Sequence, residues 1–169
     1  MTSQTTSELA ANLALQFRFS HGVFHQNVEG FTHAETLVRP QTGGNCMNWV
    51  GGHLAGARNG ILRLLGQEPV LSEDDAQRYA RGSAPITEPG MALEWDRIVA
   101  AMNESQIALM DALGSITAER LAAPLPADRN PFQLDNVGEM LGTFAFHEAY
   151  HVGQLGVLRR VYGKKGAIA

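Results

Sequence analysis

Residues 144–163, FAFHEAYHVGQLGVLRRVYG, decide the fold that we predict for this chain. Residues three and four positions apart share one face of a helix. One such face carries Phe144, His147, His151, Leu155 and Leu158. Its other members are apolar, so this face is expected to point into the core. Two imidazoles one turn apart project in the same direction and can bind one metal ion. The stretch therefore predicts a buried helix that supplies two metal ligands.

The letters HEAYH also match the H-E-x-x-H signature of zinc metalloproteases. Such a protease needs a third metal ligand, which normally follows the motif in the chain. After His151 this sequence contains no further His, Asp, Glu or Cys. The third ligand must therefore come from upstream, which argues against a standard zinc protease.

Composition indicates a globular protein. A chain of 169 residues fits one domain, residues 1–169, with a substantial core. Its hydrophobic fraction of 44% and charged fraction of 18% are typical of soluble proteins. A net charge of −4 gives no reason to expect nucleic acid or an anionic membrane as a partner. The single cysteine, Cys46, excludes an internal disulfide framework. With no signal-peptide pattern and no membrane-length apolar run, we expect a cytoplasmic protein.

Three- and four-residue apolar spacing predicts four long amphipathic helices. They run from about Glu8 to Gly30, Cys46 to Leu65, Met91 to Leu113, and Asp135 or Asn136 to Tyr162. The connection after the first helix contains His33, which is expected to be solvated. The next connection is long and carries a short helix from Ser72 to Tyr79. No stretch alternates like a strand, so we predict an all-α four-helix bundle with long crossover connections.

The second helix carries a histidine in the middle of its apolar side. His53 lies between Trp49 and Ala57 on that side. A lone histidine on an apolar face is more often a hydrogen-bonded core residue than a ligand. The helix also contains Gly51, Gly52, Gly56 and Gly60. Each glycine weakens a helix by about 1 kcal/mol relative to Ala, so together they indicate close helix packing or space for a ligand.

A bundle core is a natural place for metal ligands from facing helices. His53, His147 and His151 would leave a fourth coordination position open for water or substrate, which is the arrangement of catalytic sites. His21 and His25 on the first helix are rival candidates for the third ligand. The sequence ranks them lower because the second helix has the cleaner apolar side.

Residues close to the two C-terminal histidines can assist such a site. Gln154 follows His151 by three positions and can orient an imidazole or a bound water, or be a half-exposed helix residue. Glu148 can act as a general base for metal-bound water, or form a salt bridge. Arg159 and Arg160 can bind an acidic cofactor, or complement the negative end of the helix dipole.

Two stretches resemble a known family. Residues 48–54, NWVGGHL, resemble the W-x-x-x-H-L stretch of the DinB/YfiT-like metalloenzymes. Residues 147–163 resemble that family's H-x-x-x-H-x-G-Q-L…R…G stretch, and the resemblance extends over the chain in length and helix order. It implies an up-down-down-up bundle and one divalent metal ion, nickel or zinc, on His53, His147 and His151.

The resemblance also implies a range of activities. Characterised relatives include transferases that use bacillithiol and isomerases that use mycothiol, and many members are dimers. Metal binding would keep such a thiol in its nucleophilic thiolate form near pH 7. We therefore expect a homodimeric, metal-dependent enzyme that transfers a low-molecular-weight thiol to an electrophilic small molecule, or catalyses a thiol-dependent isomerisation. The alternatives are a hydrolase with Glu148 as base and a non-enzymatic, metal-stabilised dimeric bundle.

Overall fold

The computed structural model describes residues 7–41, 43–125, 130 and 132–166. Its helices are α1 (Glu8–Val28), α2 (His33–Thr36), α3 (Met47–Leu64), α4 (Glu73–Gln77), α5 (Trp95–Ser115), α6 (Ala118–Ala122) and α7 (Val137–Val161), with a 3-10 turn at Pro89–Met91. The described residues form no β-strand; Pro124 and Asn136 make one isolated bridge. The predicted all-α fold is confirmed. The single-domain prediction for residues 1–169 includes undescribed residues and stays a prediction.

Side-chain caps and glycines set the ends of the long helices. Ser7 accepts a hydrogen bond from the backbone N–H of Ala10 at the start of α1, and Asn136 accepts one from Glu139 at the start of α7. Such caps satisfy N–H groups that have no partner within the helix. Gly163 follows α7 with φ 78°, a conformation that glycine adopts without strain. The predicted third helix was too long at its start, because Pro89–Met91 forms a separate 3-10 turn.

The directions of the four long helices follow from two core clusters. One cluster combines the C-terminal halves of α1 and α7 with the N-terminal halves of α3 and α5: Phe24, Val28, Val50, Leu54, Ile98, Met102, Leu155 and Leu158. The other combines the opposite halves: Leu13, Phe17, Ile61, Leu62, Leu109, Leu113, Val137 and Leu141. Helices α1 and α7 therefore run one way while α3 and α5 run the other, and the bundle is up-down-down-up.

The packing partners place two helix seams on opposite sides of the bundle. Helices α1 and α3 each pack against both α5 and α7. The four helices therefore form a ring in the order α1, α7, α3, α5. The α3–α7 seam and the α1–α5 seam lie on opposite sides of that ring. No described helix combines the length and the apolar character that a membrane crossing requires.

Glycines in α3 allow two aromatic residues to pack directly on the helix. A Cβ atom at Gly51 would lie 2.8 Å from a ring carbon of Trp95, and one at Gly52 would collide with the ring of Tyr79. The Tyr79 hydroxyl donates to Asn48 Oδ1 at 3.0 Å and accepts from the Leu93 N–H at 2.7 Å. These contacts hold the crossover after α3 against the helix. Close packing therefore accounts for both glycines.

His33 corrects a second expectation. It begins α2, a single helical turn that Thr32 and Glu35 stabilise with a reciprocal capping box. Its Nδ1 accepts a hydrogen bond from the backbone N–H of Trp95 at 3.1 Å. The ring therefore binds the first N–H of α5, and the prediction of a solvated loop side chain is wrong.

Candidate metal centre

Three histidines converge at the seam between α3 and α7. His53 lies in the middle of α3, and His147 and His151 lie one turn apart in α7. One ring nitrogen from each residue lies within 4.8 Å of the others. Nε2 of His53 is 3.0 Å from Nε2 of His147. All three residues are half-buried, so the cluster is neither sealed in the core nor fully exposed. The structure thus brings together the three residues predicted as metal ligands.

Hydrogen bonds orient two of the rings. Nδ1 of His53 lies 2.7 Å from the backbone carbonyl oxygen of Tyr79. A carbonyl only accepts, so Nδ1 carries the proton and Nε2 keeps a lone pair. Nδ1 of His151 lies 3.0 Å from Oε1 of Gln154, which leaves its Nε2 in the same state. Such outer partners set the tautomer and direction of metal-binding histidines. Gln154 therefore lies where its predicted orienting role requires.

His147 is held differently. Its Nδ1 is buried and has no hydrogen-bond partner among the described residues. Burial, together with the neighbouring His151 and His53, lowers the pKa of His147 to about 4. Burial also lowers the pKa of His53. Both rings are therefore neutral near pH 7, the form in which imidazole binds metal ions.

The separation of two of the ligand atoms fits a first-row transition metal. With metal–nitrogen bonds of about 2.0–2.1 Å, two ligand nitrogens lie about 2.9 Å apart at a right angle and about 3.4 Å apart at a tetrahedral angle. The 3.0 Å between the Nε2 atoms of His53 and His147 lies in this range. Because Nε2 of His53 keeps its lone pair, this contact needs either a proton on Nε2 of His147 or a cation between the two atoms. The cluster can therefore hold one metal ion.

Glu148 has a structural partner. Its side chain is 2% exposed. Oε2 accepts from Nε of Arg58 at 2.5 Å and Oε1 accepts from Nη2 of Arg58 at 2.7 Å. Nη2 also donates to Oε1 of Gln106 at 2.9 Å. Because both carboxylate oxygens face a buried guanidinium, this geometry does not support the general-base role predicted for Glu148. The salt-bridged alternative matches the structure.

The two arginines near the end of α7 differ in their surroundings. Nη1 of Arg159 donates to the carbonyl oxygens of Asn27 at 3.2 Å and Glu29 at 2.7 Å, and Nε donates to that of Lys165 at 2.7 Å. Its guanidinium thereby binds backbone carbonyls at the end of α1 and just after α7. Arg160 lines a cavity of about 250 Å³ between α1 and α7. Cofactor binding by Arg160 stays a prediction.

His21 and His25 form a cluster of their own. Their Nε2 atoms lie 3.2 Å apart, and Nε2 of His25 is 2.7 Å from Oδ1 of Asn103 in α5. Burial lowers the pKa of His21 to about 4. The pair thus lies at the α1–α5 seam, opposite the three-histidine cluster. The structure groups these two residues with Asn103 and not with His53.

Two contributors to the site were missed from sequence. Arg58 follows Leu54 and precedes Ile61 and Leu62 on the inward side of α3, so a charge among apolar residues was the available signal. Tyr79 contributes a backbone carbonyl, which every residue possesses. No side-chain pattern could have identified it.

Comparison with known proteins supports the fold and the family. A family model described as the DinB superfamily matches residues 16–155. The crystal structure of a conserved protein from Enterococcus faecalis superposes with a TM-score of 0.71 and 20% sequence identity, covering 94% of this chain and 99% of that one. At this identity the likeness shows the fold alone. No curated protein matches the sequence.

Replacing a ligand histidine should remove the metal. We expect tag-free protein to retain about one tightly bound divalent ion per chain after dialysis, and His53→Ala and His151→Ala to lose it, because two imidazoles hold an ion less tightly than three. The measurement is elemental analysis by mass spectrometry. His33→Gln, a histidine outside the cluster, is the control and should keep the ion. Full metal content in both alanine variants would contradict the site.

Breaking the buried ion pair should destabilise the protein strongly. Glu148→Gln leaves the Arg58 guanidinium buried without its counter-charge, and we expect the free energy of unfolding to fall by about 3–5 kcal/mol. The double variant Arg58→Met/Glu148→Leu should lose less than Glu148→Gln alone, because it buries no charge. Urea denaturation of the metal-free proteins measures both. Equal stability of Glu148→Gln and the wild type would show that the pair is not buried as described.

Proposed function

The chain belongs to the DinB superfamily, and we propose that it is a metal-dependent enzyme acting on a small-molecule substrate. The convergence of His53, His147 and His151 within 4.8 Å carries this proposal. Three imidazole ligands leave further coordination positions open, which distinguishes catalytic from structural sites. The three histidines are half-buried, and the proposal requires that a small molecule can reach the ion from solvent.

We propose that the substrate pair is a low-molecular-weight thiol and an electrophile. A divalent ion on the three histidines would supply Lewis acidity, which stabilises the thiolate over the thiol near pH 7. In the transfer, the thiol sulfur bonds to the electrophilic carbon, its proton passes to solvent, and the leaving group departs with the electron pair of the broken bond. A thiol-dependent isomerisation is the other form of the same chemistry. The support is the family resemblance of residues 147–163 together with the three-histidine cluster.

The residues around the ligands have separate tasks in this proposal. The carbonyl of Tyr79 and the amide of Gln154 keep the Nε2 lone pairs of His53 and His151 directed inward. Arg58 binds both carboxylate oxygens of Glu148, so that neither is free to act as a base. This contact argues against the hydrolase alternative, which needs a free carboxylate.

We also propose that the protein is a homodimer. One side of α7 exposes four apolar residues spaced by whole helical turns: Phe146, Tyr150, Val157 and Val161, which are 72%, 64%, 62% and 55% exposed. The neighbouring helix α1 exposes Phe19 by 67%. Monomeric proteins rarely expose contiguous apolar surface of this kind. The ring of Tyr150 contacts that of His151, with centroids 5.1 Å apart, so this surface borders the metal cluster.

Thiol binding should be visible in the spectrum of the metal. Protein loaded with Ni²⁺ should develop a sulfur-to-metal charge-transfer band when bacillithiol, mycothiol, glutathione or cysteine is added. Serine, which replaces the cysteine sulfur by oxygen, should give no such band. His151→Ala should not respond to any of them. If the protein keeps its metal but no thiol produces a band, the proposed thiol chemistry is contradicted, whereas the proposed metal site is not.

A charged residue introduced on the exposed apolar side of α7 should separate the subunits. We expect sedimentation analysis of the wild type to give twice the chain mass, and Phe146→Glu to give the chain mass, because each subunit would bring a carboxylate into the apolar contact. Ile107→Glu, on an exposed apolar residue of α5, is the matched control and should remain dimeric. A monomeric wild type would contradict the dimer.

A further inference from the structure

A second group of metal-binding atoms lies at the α1–α5 seam. His21 and His25 are one turn apart on α1, and Asn103 faces them from α5. Nε2 of His25 is 3.2 Å from Nε2 of His21 and 2.7 Å from Oδ1 of Asn103. Two ring nitrogens and an amide oxygen thus lie close together.

Protons satisfy this cluster only in part. A single proton on Nε2 of His25 would have to be shared between Nε2 of His21 at 3.2 Å and the oxygen of Asn103 at 2.7 Å. Nδ1 of His21 is in addition buried, with no hydrogen-bond partner among the described residues. A cation placed between the three atoms would accept a lone pair from each.

From this arrangement we propose that His21, His25 and Asn103 form a second binding site for a divalent transition-metal ion, separate from the three-histidine cluster. With metal–nitrogen bonds of about 2.0–2.1 Å, a nitrogen separation near 3.2 Å corresponds to an angle of about 100° at the metal. The measured 3.2 Å fits. Imidazole and amide ligands suit zinc, nickel and copper. Two imidazoles bind less tightly than three, so this is the weaker site.

The charges around the cluster favour a cation on balance. His25 lines a cavity of about 450 Å³ together with the exposed carboxylates of Glu29 and Asp96. Such carboxylates raise the local concentration of cations. The opposing charge is Arg58, which acts on His21. Its positive charge is compensated by two hydrogen bonds to the carboxylate of Glu148.

The test is the number of ions that the protein binds. Tag-free, full-length protein stripped of metal is titrated with Zn²⁺ by calorimetry. We expect two binding events per chain, the second weaker than the first. His25→Gln and Asn103→Ala should weaken the second event at least tenfold and leave the first unchanged. Asn103 is exposed, so this variant is expected to fold even if His25→Gln does not.

Two further variants separate the sites. His53→Ala should remove the first event and keep the second, so that failure of the proposed function and failure of this site give different results. His33→Gln, a histidine outside both clusters, should change neither event. A single event at saturation, or a second event unchanged in both His25→Gln and Asn103→Ala, would overturn the proposal. Equal weakening by His33→Gln would show unspecific binding and also overturn it.

Discussion

The ion pair between Arg58 and Glu148 holds α3 and α7 in one register, and the three-histidine cluster depends on that register. Arg58 follows His53 by five residues in α3, and Glu148 follows His147 directly in α7. Two hydrogen bonds of 2.5 and 2.7 Å join the pair in the core. A slip of one residue turns a helix face by about 100°. It would separate Glu148 from Arg58, and at the same time it would separate the two imidazoles of α7 from His53.

A buried ion pair contributes more to selecting one alignment of the helices than to the free energy of folding. Moving a guanidinium and a carboxylate out of water costs several kcal/mol per ion, and only well-formed hydrogen bonds offset that cost. Here Gln106 accepts a further hydrogen bond from Arg58 at 2.9 Å, and the ring of Phe17 lies 5.2 Å from the guanidinium. All four long helices therefore contribute to the surroundings of one charge. Alternative alignments of the apolar faces would leave that charge unpaired, which explains how a bundle of similar helices adopts one arrangement.

Local patterns were sufficient for the helices, and together with the family resemblance they singled out the three histidines that the structure brings together. Apolar spacing in α1, α3 and α7 predicted their positions to within a few residues, and the caps at Ser7 and Asn136 are visible in the sequence. Contacts between distant residues were not predictable in this way. Arg58 pairs with a residue 90 positions away, and His33 binds the backbone of Trp95, 62 positions away. Periodicity reports which face of a helix is buried, but it carries no information about which polar groups meet there.

The three ligands also differ in what holds them, and this difference defines how much of the chain belongs to the site. His151 is oriented by Gln154 within its own helix. His53 is oriented by the backbone of Tyr79, and that backbone is held by the Tyr79 hydroxyl and by the absence of a side chain at Gly52. The crossover after α3 is therefore part of the candidate metal centre, although the candidate ligand atoms come only from α3 and α7 among the described residues. Changes in its packing would turn the His53 ring while all three histidines remain in place, so the same ligand set can be tuned from outside it.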